Sequence, residues 1–198
     1  MPTVYMLNSE NMLNDKKEPK VVRMNNLISY NNRIISYDGC PGCAYAGHEF
    51  HLDCGLAYEN ERFTLSQDWE LPIPGFMIVA PKRHIEMLSE LTEEERNEMF
   101  SLADKAVKIM RGKHICERFD YIFEEKENRH LHVWILPRYA WMTENTDDII
   151  ADLGVIFEYA LCNLRSEDNY REIERITEIV RDGFAAGDFS MRVSESEK

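Results

Sequence analysis

Polar and apolar residues alternate along His130-Leu131-His132-Val133-Trp134-Ile135. A period of two predicts a strand with Leu131, Val133 and Ile135 on one face and His130, His132 and Trp134 on the other. Phe119 to Glu124 alternates as well and is expected to pair with it across a loop at Glu125 to Arg129. That register sets Phe119, Tyr121 and Phe123 beside Leu131 and Val133, with Glu124 on the histidine face. A slip of one residue would bury Glu124 and expose the aromatics. Upstream, Leu56 to Asp68 reads as a hairpin with Glu59-Asn60-Glu61 at its tip, and the apolar run Phe76 to Ala80 as a buried strand. Leu71-Pro72-Ile73-Pro74-Gly75 between them is a rigid loop.

Helical periodicity takes over at Leu91. Thr92 fits an N-cap with Glu95 three residues on, a capping box, and Met99, Phe100, Ala103, Ala106, Val107 and Met110 follow before Gly112 ends the helix. Ile149, Ile150, Leu153, Ile156, Phe157 and Leu161 predict an amphipathic helix over Asp147 to Leu164, and Ile173, Ile176, Ile179 and Val180 a second over Asp168 to Phe184. Met1 to Asp38 is polar and weakly patterned, with a short strand at Arg33 to Tyr37. The order predicts an α+β fold: an antiparallel sheet, a long helix after the second strand block, and additional C-terminal helices. The expected division is an N-terminal arm at 1–38, a central domain at 39–144, a C-terminal helical extension at 145–189 and a disordered tail at 190–198.

Composition narrows the function. A net charge of −13 over 198 residues argues against nucleic acid polymers and anionic membranes as partners. It leaves small nucleotides open, since Lys82 and Arg83 form a local basic cluster. No apolar run reaches membrane-spanning length, and Met1 to Tyr5 does not resemble a secretory leader, so a cytoplasmic location is expected. Five cysteines, including Cys40-Pro41-Gly42-Cys43, then read as metal or redox chemistry rather than a disulfide framework.

Three blocks in order resemble the histidine triad (HIT) superfamily of nucleotide hydrolases and transferases. They are Cys40 and Cys43 ahead of a hairpin; Phe76 to His84, ending Pro-Lys-Arg-His before Leu91-Thr92-Glu93-Glu94-Glu95; and His130 to Arg138. The resemblance covers about Gly39 to Arg138. It departs in two places. The third histidine of the family strand stands as Trp134, a position that related uridylyltransferases also replace, with glutamine. The glycine- and hydroxyl-containing phosphate-binding stretch before the triad is absent, and Glu124-Glu125-Lys126-Glu127-Asn128-Arg129 stands in its place.

The resemblance implies His132 as the nucleophile at a nucleotide α-phosphate, with its other ring nitrogen fixed as a donor. It implies Asp68 as the ribose-binding carboxylate. Trp69 offers a surface for a purine, Trp134 lines the same site, and Lys82, Lys126 or Arg129 supplies positive charge. The resemblance also implies a structural zinc on Cys40, Cys43, His84 and His130. A local set, Cys40, Cys43, His48, His51 and Cys54, has suitable spacing too. Glu124 and Glu125 could recruit magnesium beside the phosphates.

The implied function is hydrolysis or transfer on a dinucleoside polyphosphate or nucleoside phosphoramidate through a nucleotidyl-histidine. The alternative is a catalytically degenerate, zinc-stabilised module that binds a nucleotide or a protein. A homodimer follows from the resemblance, and the C-terminal helices either serve it or cap the monomer's own sheet.

Overall fold

The computed structural model describes residues 24–123 and 129–186. Its first elements, Met24–Ile28 (β1) and Ile34–Asp38 (β2), form a two-stranded antiparallel hairpin. At its turn Asn32 has φ 65°, a left-handed conformation that asparagine tolerates. Only β2 was expected, and β1 falls in the weakly patterned segment. The hairpin is docked on the body of the protein rather than extended as an arm. The Tyr30 amide donates to the Trp69 carbonyl oxygen at 2.7 Å, and the Tyr30 hydroxyl accepts from the Cys54 amide at 3.1 Å.

A short helix, Pro41–Ala46 (α1), follows with proline at its start, where a missing N–H costs nothing. Next come Leu56–Glu59 (β3), Phe63–Gln67 (β4) and Met77–Pro81 (β5). The capped helix Glu93–Gly112 (α2) starts as its sequence predicts: Thr92 Oγ1 accepts from the Glu95 amide at 3.2 Å, and a Glu95 carboxylate oxygen accepts from the Thr92 amide at 2.8 Å. Phe119–Phe123 (β6) and Val133–Pro137 (β7) complete a five-stranded antiparallel sheet in the order β3-β4-β5-β7-β6. Phe123 pairs with Val133 and Tyr121 with Ile135, the expected register. Phe119 and Phe123 pack on the main core, but Tyr121 is exposed because β6 is the edge strand.

The histidine strand is shorter than its alternation suggests. β7 begins at Val133, and His130 to His132 form an extended lead-in. β5 ends at Pro81, which has no N–H to continue the ladder. The Leu131 amide instead donates to the carbonyl oxygen of Ile85 at 2.8 Å, in the loop beyond. The alternation of faces survives: Leu131, Val133 and Ile135 are buried in the main core.

Three helices close the described chain: Ala140–Asn145 (α3), Leu153–Asn163 (α4) and Glu167–Ala185 (α5). The helix expected from Asp147 therefore starts six residues later. Asp148 explains the delay. Its carboxylate accepts from the Ile150 and Ala151 amides, both at 3.1 Å, holding a turn that competes with the helix. α3 was not anticipated. None of the described helices is long and apolar enough to cross a membrane.

α2 and α5 cover one face of the sheet. Met99, Ala103, Ala106 and Met110 of α2, with Ile176, Val180 and Phe184 of α5, pack on Phe63, Leu65, Val79, Val133 and Ile135. α5 thus caps the monomer's own sheet. On the opposite face, Ile156 and Ala160 of α4 bury Leu136 and Phe76 at one end. The β1–β2 hairpin, α1 and Tyr170 form a separate cluster around Tyr30, Tyr45 and Phe50. Between these two covers the sheet stays open, and there the histidine face lies. Expectations resting on residues 1–23, on the acidic run 124–128 and on the tail 190–198 fall outside the described residues, including Lys126 and the magnesium site at Glu124 and Glu125.

Candidate active site and metal centre

A cleft of about 340 Å³ occupies that opening. Its floor is the sheet itself: Ile78 and Ala80 of β5, His132, and Trp134, the cross-strand partner of Ile78. Asp68, Trp69, Glu70 and Arg129 line it as well.

His132 is held by main chain. Its Nδ1 lies 3.0 Å from the carbonyl oxygen of His130. A carbonyl can only accept, so Nδ1 carries a proton, and in the neutral ring Nε2 holds the lone pair. That is the protonation pattern an imidazole nucleophile requires. The Trp134 indole sits against this ring, centroids 5.1 Å apart, and packs edge-on against Phe76 and Phe157, each at 5.8 Å. Trp134 is therefore both cleft wall and anchor for α4.

Asp68 is buried. Its Oδ1 accepts from the amides of Glu70 at 3.0 Å and Leu71 at 2.8 Å, a turn that leads into Pro72. Burial pushes its carboxyl up to about 7, although both hydrogen bonds pull the other way. Trp69 is half core: its ring packs on Tyr45 and Phe50, its Nε1 donates to Ser66 Oγ at 3.3 Å, and it also lines the cleft.

Lys82 is not brought to the cleft. Its Nζ donates to Glu59 at 2.6 Å, on the hairpin tip opposite, and the pairing holds the Glu59 carboxyl below its ordinary range. Residues on the strand end and the hairpin tip meet there because β4 pairs with both β3 and β5. Of the three basic candidates, Arg129 is the one the described structure places at the cleft.

Beside the cleft, Cys40, Cys43, His84 and His130 converge, one donor atom from each lying within 4.8 Å of all the others. The Cys40 and Cys43 sulfurs lie 3.5 and 3.6 Å from His130 Nδ1, and the Cys43 sulfur lies 3.4 Å from His84 Nδ1. These spacings fit tetrahedral bonds of about 2.3 Å to sulfur and about 2.0 Å to nitrogen. The supporting contacts fit as well. His130 Nε2 is 2.6 Å from the Pro81 carbonyl oxygen, so its Nδ1 presents the lone pair, and His84 Nε2 is 3.8 Å from Glu86. Burial raises the Cys40 thiol, but its hydrogen bonds with His130 and the Cys43 backbone outweigh this and leave it at about 6. Burial and the adjacent Cys40 sulfur push Cys43 up to about 11. Two sulfurs and two imidazoles that close on one point could hold a divalent metal with no open position.

The local alternative does not assemble. His48 turns to Glu59 at 3.4 Å, and Cys54 is buried beside Tyr30. Local spacing permitted that set, but α1 turns Cys40 and Cys43 toward the sheet.

Residues 49–141 match the family model described as HIT domain. Over that segment the chain is similar to the HIT domains of the histidine triad superfamily. It is 24% identical to a bis(5'-adenosyl)-triphosphatase of Dictyostelium discoideum over 41% of this chain, and the match spans 58% of that protein's length. Its fold resembles that of a Zn-bound histidine triad family protein from Mycobacterium smegmatis, with TM-score 0.53, 19% identity, and coverage of 75% of this chain and 95% of that one. A hypothetical histidine triad nucleotide-binding protein from Sulfolobus tokodaii gives TM-score 0.53, 21% identity, and coverage of 74% and 93%.

The HIT domain match starts after Cys40 and Cys43, so half of the candidate metal set and the β1–β2 hairpin lie outside it. Several residues that shape the site escaped sequence reasoning. The Pro81 carbonyl orients His130, and Phe157 buttresses Trp134. Gly42 leaves room for the His130 ring: a Cβ built there would lie 2.4 Å from His130 Cγ. Of these, only the glycine inside a Cys-x-x-Cys carried a visible hint.

Proposed function

We propose that this protein is a HIT-type nucleotidyl hydrolase or transferase with His132 as its nucleophile. The observation that carries the reading is the His132–His130 hydrogen bond, which leaves Nε2 with its lone pair in a cleft of mononucleotide size. In this reading Nε2 forms a bond to the α-phosphorus while the bond to the leaving group breaks and its electron pair departs with that group. Water or another acceptor then attacks phosphorus, and the electron pair of the P–N bond returns to Nε2. The acceptor's proton passes to solvent. Arg129 offsets phosphate charge, Asp68 accepts from the ribose hydroxyls, and Trp69 and Trp134 flank the nucleotide.

The Dictyostelium relative's name supports dinucleoside polyphosphates as substrates, with nucleoside phosphoramidates as the other class. A zinc ion on Cys40, Cys43, His84 and His130 would tie α1 to both strand blocks and take no part in the chemistry, since four protein donors leave no open position. The Mycobacterium structure, which binds Zn, supports this metal. Reduced cysteine ligands suit a reducing compartment such as the cytoplasm. A homodimer, if formed, would use the β6 edge, where Phe100 and Tyr121 are exposed.

Incubation with adenosine and uridine substrates of both classes, with and without magnesium, tests the reading by intact mass. A nucleotide adduct is expected, absent in His132→Ala. No adduct and no turnover with any substrate would reject the enzyme. One observation favours a second reading, a binding module without turnover: Trp134 fills the third triad position with a side chain that cannot exchange a proton near neutral pH. Nucleotide binding without adduct would select it.

A further inference from the structure

The cleft has a wall that the HIT domain does not supply. Asn26 and Leu27 of β1 and Tyr37 of β2 line it, together with Trp69. All three precede residue 49, where the family match begins. The cleft residues are thus shared between the sheet floor, the loop after β4 and a hairpin that lies outside the family match.

The hairpin is a fixed wall rather than a swinging one. Its turn is bonded to the Trp69 carbonyl through the Tyr30 amide. Asn32 Nδ2 donates to the Tyr170 hydroxyl of α5 at 3.0 Å, and Arg33 pairs with Asp53. Tyr37 and Trp69 both pack on Phe50, at 6.1 and 5.5 Å between centroids. Those contacts set two aromatic side chains on the same stretch of wall.

Its polar groups are oriented too. The Ser36 hydroxyl donates to Asn26 Oδ1 at 2.7 Å across the β1–β2 pair. With Oδ1 engaged in that bond, the two Nδ2 hydrogens are left for another acceptor. Asn26 is exposed and Tyr37 half-buried. Such a surface, flat aromatic area beside an oriented amide donor, suits a nucleobase: stacking supplies affinity, and the amide meets a ring nitrogen or carbonyl on the base edge.

We infer that the β1–β2 hairpin is the base-recognition wall of the cleft, with Asn26 donating to the base edge and Tyr37 packing on its ring. The inference rests on the reading that the cleft binds nucleotides. It divides the cleft by chemistry. His132 and Arg129 take the phosphate, Asp68 takes the ribose, and the hairpin takes the base.

Isothermal titration with AMP and with ribose 5-phosphate tests it. Asn26→Leu, close to isosteric and neutral, and Tyr37→Ala are each expected to weaken AMP about tenfold, the scale of one lost hydrogen bond or stacking contact. Ribose 5-phosphate affinity and the unfolding midpoint of Asn26→Leu should stay at wild-type values. Wild-type affinity for AMP in both variants overturns the inference, and so do equal losses on AMP and ribose 5-phosphate, which would mark the hairpin as mere scaffold. If the wild-type protein binds neither probe, the nucleotide reading fails first and the inference falls with it.

Discussion

His132 Nδ1 is hydrogen-bonded to the backbone carbonyl of His130, whose own ring points into the candidate metal centre and is pinned by the Pro81 carbonyl. One residue therefore connects the two sites. Its side chain belongs to the candidate metal cluster, and its main chain orients the ring of the candidate nucleophile. Whatever displaces His130 disturbs both.

Gly42 offers a way to displace it without removing a ligand. The Gly42→Ala methyl would fall 2.4 Å from His130 Cγ, and the ring, held on its far side by Pro81, has little room to retreat. Zinc content measured by mass spectrometry should drop well below one per chain in Gly42→Ala, with all four donors still present. Full occupancy would show that the ring can move.

The choice of ligand set has its own test. His84→Ala removes one of the four convergent donors, whereas His51 lies outside them. Zinc should be lost in His84→Ala and retained in His51→Ala, with a lower unfolding midpoint only in the first, because metal affinity is folding free energy. The opposite pattern would restore the local set.

Asp68 should leave a mark on the pH dependence of stability. Its carboxyl is raised from 3.8 to about 7 by burial, so the folded state holds the proton more tightly than the unfolded chain. Its contribution is fully present below about pH 3.8 and is lost as pH rises through about 7. Asp68→Asn keeps an acceptor for the Glu70 and Leu71 amides and cannot ionise. Urea midpoints across that window should fall less with rising pH in Asp68→Asn than in the wild type. Parallel curves would show that Asp68 ionises normally.

Trp134 fills space between the sheet and α4, against Phe76 and Phe157. Trp134→His, which restores the family residue, should cost about 2–3 kcal/mol through the cavity it leaves. Chemical denaturation measures this directly, and an unchanged free energy would mean that α4 does not depend on the indole.

Gly183 lets α5 approach α2: a Cβ there would lie 2.7 to 2.9 Å from three atoms of Ile109. Gly183→Ala should destabilise by about 1–3 kcal/mol. Adding Ile109→Ala should recover part of that loss, since the two side chains contest one space. Additive costs in the double variant would rule out the clash.

Much of this was legible from residue order. The period of two along Leu131 to Ile135 assigned faces correctly because pleat geometry is local, and Thr92 with Glu95 announced α2 because a capping box closes within one turn. The hairpin tip at Asn60 and the β6–β7 register followed for the same reason. The Asp147 start of α4 misled because its apolar spacing is genuine, while the Asp148 carboxylate diverts the backbone. Lys82 misled because a basic residue near a histidine block looks like a phosphate contact until Glu59 arrives from another strand.

By itself, then, the sequence determined the α+β class, the histidine face, the blocks shared with the HIT superfamily and two candidate sets of metal donors. Only the tertiary structure decided between those sets and showed that His130 turns its ring to the candidate metal cluster and its carbonyl to His132. It also brought β1 and β2 to the cleft and made Trp134 the seat of α4. The physical reason is range. Periodicity and capping act over a few residues, whereas these pairings join segments tens of residues apart, and packing of the whole core settles which of them meet.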